Sequence, residues 1–169
     1  MTSSTRHRIG TDVDPTAFKQ VLTRFPSGVT VVTTVGAEGT AHGFTATAFT
    51  SVSLTPPLVA VFLAKSARCH HVFSTASSFT VNLLCPEHTG LAERFASRAE
   101  DKFAGGGFRT DNGELVVEGA LGVLSCITHT VQKLGDHTML VGRVWRAAPS
   151  AGTPLVYYEG EFHRIGSAE

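Results

Sequence analysis

The side chains best equipped for chemistry in this chain are hydroxyls. Between His42 and Pro57 the sequence HGFTATAFTSVSLTPP holds six Ser or Thr residues and no Asp, Glu, Lys or Arg. Read with period two, Thr45, Thr47, Phe49, Ser51 and Ser53 fall on one face of a strand, and Phe44, Ala46, Ala48, Thr50, Val52 and Leu54 on the other. The second set suits a core, with strict alternation expected to fail near Ala48–Phe49, where a ligand-binding loop bends its strand through a bulge. The first is a row of small donors and acceptors, fit for a neutral polar ring or a phosphate where bulk and fixed charge would obstruct. An ordinary half-exposed strand with its hydroxyls toward water carries the same pattern. Lys65, Ser66 and Arg68 follow the next strand, at the start of a predicted helix, where amides, a cation and a hydroxyl make an anion site; a solvated charge pair is the plain alternative. In GDH (135–137) the Gly and Asp supply turn chemistry, and His137 begins a strand, where it can point into a groove or into solvent.

Other chemistries have little support. The chain has no P-loop, no G-x-G-x-x-G after a strand and no G-x-S-x-G elbow. Gly105–Gly107 follow a helical segment instead of opening one, and read as a flexible loop. Of the eight histidines, His70 and His71 are adjacent in a predicted helix and face about 100° apart, so they do not chelate as an i, i+4 pair would. No metal site is expected. Cys69, Cys85 and Cys126 are widely spaced and lack metal-type spacing, which fits buried free thiols in a reducing cytoplasm.

The elements that must position these residues are mostly strands. Residues 1–13 read as a loosely held arm, and 14–169 as one domain. Asp14 and Pro15 cap a short helix whose Phe18, Val21, Leu22 and Phe25 form one apolar stripe. VTVVTTV (29–35) is a strand, GAEGT (36–40) a hairpin turn, and Pro56–Pro57 separates the hydroxyl strand from LVAVFLA (58–64). A short helix lies within 65–77 and a strand at 78–84. Residues 88–107 begin as a helix with Leu91, Ala92, Phe95, Ala96 and Ala99 on its apolar face. Two strands follow at 119–131 and 138–147, and a last pair at 154–165 turns at Glu159–Gly160. Many strands with few helices predict a mainly β fold, a closed antiparallel barrel with helices outside.

In their order along the chain, FPSGVTVVTT, HGFTATAFTSVSLTPPLVAVFL, NLLCPEHTGLAERFAS…DKFAG, LGDHTMLVGRV and PLVYYEGEFHR resemble the flavin reductase components of two-component flavin-dependent monooxygenases. The resemblance runs from about Pro15 to Ile165. It implies the FMN-binding split-barrel fold with Greek-key connections, a homodimer, FMN or FAD as cofactor, and NADH or NADPH as hydride donor. Reduced flavin would then leave for a partner monooxygenase. Carried over by position, Thr45, Thr47, Ala48, Ser51, Val52 and Ser53 would line the flavin ring and its ribityl chain. Lys65, Ser66 and Arg68 would hold the phosphate, Phe103 and Tyr157 would border the rings, and His137 would position the nicotinamide. At Cys69 the chain departs from relatives that carry a small hydroxyl residue there.

Composition agrees with a role of this kind. The 169 residues include 14 basic and 14 acidic ones, a balance that argues against nucleic-acid or membrane-surface binding, which needs clustered positive charge. Charged residues make up only 17%, which fits a surface partly covered by a second copy. The N-terminus has no apolar leader segment and no run reaches the roughly 20 apolar residues of a membrane span, so a soluble cytoplasmic protein is expected. A flavin-binding protein without turnover is the competing reading; LGDH and Tyr157 speak for a nicotinamide groove that a pure binder does not need. A pyridoxamine-phosphate-oxidase-like enzyme would call for more basic residues at a second phosphate.

Overall fold

A computed structural model describes residues 13–166; apart from Val13, the expected N-terminal arm lies outside them. Helix α1 (Pro15–Thr23) begins as its sequence dictates, with the Asp14 carboxylate accepting from the amides of Thr16 at 3.4 Å and Ala17 at 3.0 Å. The stripe of Phe18, Val21, Leu22 and Phe25 is present, yet each of the four is more than half exposed and no residue of α1 is buried.

The strands then run β1 (Ser27–Gly28), β2 (Thr30–Val35), β3 (Ala41–Ala46), β4 (Phe49–Leu54) and β5 (Pro57–Ala64). Helix α2 (His70–Thr75) and β6 (Ser78–Leu83) come next. A 3-10 turn (Pro86–His88) leads into α3 (Thr89–Ala96). The chain ends with β7 (Phe108–Asp111), β8 (Glu114–Val117), β9 (Gly122–Leu134), β10 (His137–Pro149), β11 (Leu155–Tyr158) and β12 (Glu161–Arg164).

The main sheet has seven strands in the order β3-β2-β6-β9-β10-β5-β4, all antiparallel. The mainly β expectation holds, but the barrel is not closed. β3 and β4 are the two outer strands, and no ladder joins them. They are nevertheless successive in the chain, separated only by Thr47 and Ala48. The sheet therefore curls until its edges approach, and the Phe62 amide of β5 donates to the Ala48 carbonyl at 3.1 Å.

β2 shows why the centre of this sheet is so apolar. Val31 and Val32 are both fully buried although they point to opposite faces. Val32 joins a cluster with Phe44, Val61, Phe73 and Leu140; Val31 joins another with Phe95, Val116, Val117 and Leu155. The buried hydroxyls of β2 are satisfied at once by carbonyls: Thr30 donates to Ala46 at 2.9 Å, Thr33 to Leu115 at 2.6 Å and Thr34 to Ser78 at 2.7 Å. Asn82 of β6, with no exposed surface, donates to the Val31 carbonyl and accepts from the Val117 amide, both at 3.0 Å. It thereby ties the β7–β8 hairpin to the sheet.

Several sequence expectations need correction. α2 begins at His70, so Lys65, Ser66 and Arg68 stand in the turn before it and not at a helix start. α3 stops at Ala96, leaving Ala99 outside the helix and exposed. The β7–β8 hairpin was not anticipated. Most consequential is the hydroxyl strand, which breaks at Thr47–Ala48 and changes parity there. Phe49 packs against the core, whereas Val52 and Leu54 are 53% and 90% exposed. A bulge between Ser51 and Ser53 shifts the register again.

Replacing Asn82 with Ala orphans the buried Val117 amide, which costs about 1–3 kcal/mol. Urea denaturation is expected to show a lower midpoint at unchanged slope. An unshifted midpoint would mean that the hairpin is held by packing alone.

Candidate active site

The crossing from β3 to β4 forms one wall of an open cleft of about 520 Å³. Thr45, Ala46, Thr47 and Ala48 supply this wall; the end of β5 and the turn after it, including Ser66 and Arg68, supply the next. The C-terminal end of α3 closes the far side with Phe95, Ser97 and Arg98, and Lys102 and His137 complete the lining. Close packing of α3 on β3 depends on Gly43, because a Cβ there would stand 2.7 Å from the Phe95 ring. Thr45 fixes the same contact by donating its hydroxyl to the Ala92 carbonyl at 2.6 Å.

The charge around this cleft is one-sided. Its described lining includes Arg68, Arg98, Lys102 and His137, and no carboxylate. Two of these groups pair with acids outside the lining: Arg68 with Glu100 at 3.5 Å, and the Nδ1 of His137 with Asp136 at 2.7 Å. The hydrogen bond from His137, and then its charge, keep the Asp136 carboxyl below the usual carboxylate range. Lys102 donates to the Phe95 carbonyl at 2.7 Å. Burial, and to a lesser degree the positive charge of Arg68, push its ammonium below the usual lysine range, against an opposing pull from Cys69. Burial also pushes the Cys69 thiol up. Small hydroxyls, aromatic walls and a lining with cations but no carboxylate suit a flat polar ring that carries a phosphate.

The structure brings Thr45, Thr47, Ala48, Ser66, Arg68 and His137 together at this cleft. It does not bring the other expected residues there. Ser51, Val52 and Ser53 lie beyond the break on β4, where Ser53 accepts from the Thr55 amide. Lys65 reaches the other way, donating from Nζ to the Gly135 carbonyl at 2.5 Å while its amide donates to the Asp136 carbonyl at 2.9 Å. Phe103 stacks edge-on against Phe95, with ring centroids 4.9 Å apart, and lines a neighbouring groove. Tyr157 packs on Phe162 at 5.3 Å, in a hollow on the far side of Ala96 and Ser97.

Sequence reasoning missed Arg98 and Lys102. In DKF the aromatic residue drew attention, while the preceding lysine had no helix period or partner to mark it. Among the described residues, no three His, Cys, Asp or Glu side chains gather in a way that would hold a metal ion. No helix there is long and apolar enough to cross a membrane.

A family model for the flavin reductase like domain matches residues 22–166. The chain belongs to that family. It is 41% identical over 157 residues to the actinorhodin polyketide dimerase of Streptomyces coelicolor, covering 92% of this chain and 89% of the relative. It is also 41% identical over 151 residues to the reductase component of 4-hydroxyphenylacetate 3-monooxygenase from Thermus thermophilus, covering 88% of this chain and 95% of that one. Among solved structures, an NADH:FAD oxidoreductase of Streptomyces globisporus in complex with NAD and FAD fragments superimposes with a TM-score of 0.86 at 33% identity, covering 94% of this chain and 98% of that one.

In this flavin reductase-like chain, Lys65 is a tether for the β9–β10 turn. Lys65→Met is therefore expected to speed amide exchange at Gly135–His137 severalfold while leaving exchange in the middle of β9 and β10 unchanged. Unchanged exchange at the turn would show that the backbone ladder holds it unaided.

Proposed function

We propose that the protein is an NAD(P)H:flavin oxidoreductase that reduces FMN or FAD and releases the reduced flavin to a separate monooxygenase. The observation that carries this reading is the cleft itself, whose lining sets small hydroxyl residues beside three side-chain cations and a histidine and includes no carboxylate. Family membership and the two-component relative from Thermus thermophilus support it.

The bound cofactor pair supplies the chemistry, hydride transfer from nicotinamide to the flavin ring. The chain's part is to hold and orient. Thr47 and the backbone at Thr45–Ala48 would hydrogen-bond the ring, with the Thr45 hydroxyl already committed to α3. Ser66 and Arg68 would hold the phosphate, and the cationic rim would favour the negative charge that gathers on reduction. His137, held by Asp136, would position the nicotinamide, and holding the reacting atoms about 3–3.5 Å apart supplies much of the rate. The cleft is open on one side, which suits a flavin that exchanges.

A second copy of this chain is the partner we assign to the exposed apolar residues Phe18, Val21, Leu22 and Phe25 of α1 and Val52 and Leu54 of β4. In that homodimer the β4 residues Ser51–Ser53 and Tyr157 act at or near the interface, and residues 14–169 form the working unit. The three buried free cysteines support a reducing, cytoplasmic setting.

Loss of the near-ultraviolet absorbance of NADH or NADPH on adding FMN, FAD or riboflavin tests the function directly. No flavin-dependent oxidation with any of these combinations would overturn it. Thr47→Val is expected to raise the flavin Kd about fivefold, the loss of one hydrogen bond of ~1 kcal/mol, at an unchanged melting temperature. His137→Ala is expected to raise the KM for the nicotinamide by a similar factor with flavin affinity intact. Unchanged kinetics at limiting nicotinamide would remove His137 from the site.

A further inference from the structure

The loop that leaves α3 is lightly anchored at the mouth of the cleft. Residues 98–101 are all exposed. Before them, the Ser97 hydroxyl accepts from the Ala99 amide at 3.2 Å. After them, the Asp101 carboxylate accepts from the amides of Phe103 at 3.0 Å and Ala104 at 2.9 Å. These bonds stay within the loop. Glu100 reaches out of it: its Oε1 meets the Nη1 of Arg68, in the turn after β5, at 3.5 Å. Arg68 belongs to the lining of the cleft and Glu100 does not. The contact therefore ties a loop on the α3 side to a lining cation on the β5 side.

Its geometry is that of a placeholder. A strong pair between a guanidinium and an anion has N–O distances of about 2.7–2.9 Å and engages two N–H groups. This one is long and engages one. The two side chains are 60% and 90% exposed, so water screens them, and an exposed pair of this kind favours contact by no more than about fivefold. Arg68 has five N–H donors and can turn them to a better acceptor.

Resting on the reading of Arg68 as a residue that holds the flavin phosphate, we propose that Glu100 is a built-in competitor for that phosphate. It occupies Arg68 while the cleft is empty, is displaced when a phosphate-bearing flavin enters, and returns as the flavin leaves. A phosphate monoester carries up to about twice the charge of a carboxylate and wins, but its gain is reduced by the contact it breaks. The competitor is part of the same chain, so dilution does not remove it. Glu100 thus lowers affinity without touching the flavin. It narrows the preference for FMN over riboflavin, which has no phosphate to displace it, and it eases exchange.

Equilibrium titrations with FMN and riboflavin test this on wild-type protein, Glu100→Gln, Arg68→Gln and the double variant. Glu100→Gln is expected to lower the Kd for FMN about twofold to fivefold at low salt, to leave that for riboflavin unchanged, and to lose most of the gain at high salt. Arg68→Gln is expected to raise the Kd for FMN relative to riboflavin, and adding Glu100→Gln to it is expected to change nothing further. A ratio of FMN to riboflavin affinity that Glu100→Gln leaves unchanged or lowers overturns the proposal. So does the same gain persisting in the Arg68→Gln background, which would assign it to net charge alone. Arg68→Gln weakening riboflavin as much as FMN, or binding of neither flavin by the wild-type protein, would instead overturn the reading of Arg68 or of the cleft, and the competitor with it.

Discussion

The constraint on which the rest of this molecule depends is the length of one connection. Seven strands laid flat would hold their outer edges about 28 Å apart at the ordinary interstrand spacing. The chain joins those two edges through Thr47 and Ala48 alone, a link that reaches about 10 Å when fully extended. The sheet must therefore curl on itself, and its right-handed twist provides the sense in which it does so. The ladder does not close where the edges meet, so backbone groups and small side chains at this seam are left facing a cleft.

Everything at the cleft follows from how neighbouring elements fill that seam. α3 presses onto β3 through Phe95 and Gly43, and its carbonyl at Ala92 takes up the Thr45 hydroxyl. The turn after β5 carries Ser66 and Arg68 past the opening, and the β9–β10 turn delivers His137 beside it, in register with Ala64. Lys102 is brought in by the loop that leaves α3 and is anchored on the carbonyl of the same Phe95 whose ring packs on β3. One aromatic residue thus sets the positions of a strand, a helix end and a cation.

Much of the architecture was legible because local chemistry and global structure agree. The Asp14 cap, the β-branched run of β2, the hairpin turns at GAEGT and Glu159–Gly160, and the β9–β10 pair all carry their own signals. The misses share a different origin. Period-two reasoning assigned Thr50, Val52 and Leu54 to the core, and expected a bulge near Ala48–Phe49; the chain instead breaks at Thr47–Ala48, and a change of sheet edge inverts the parity of all that follows, which the residue types do not mark. Lys65 and Lys102 are chemically alike, and only tertiary placement decides that the first tethers a turn while the second faces the cleft. α1 was read correctly as an amphipathic helix, but amphipathicity does not say which molecule covers the apolar face.

The lining of the cleft also has a chemical consequence. Cys69 stands in it, 8% exposed, with its thiol pushed up by burial, and Cys126 in the core is pushed up to about 12. It is the thiolate that peroxide oxidises, so a thiol kept protonated reacts slowly. Under the function proposed above, the protein would work in the presence of the peroxide that reduced flavin generates on meeting dioxygen, and burial of its sulfur would protect it passively.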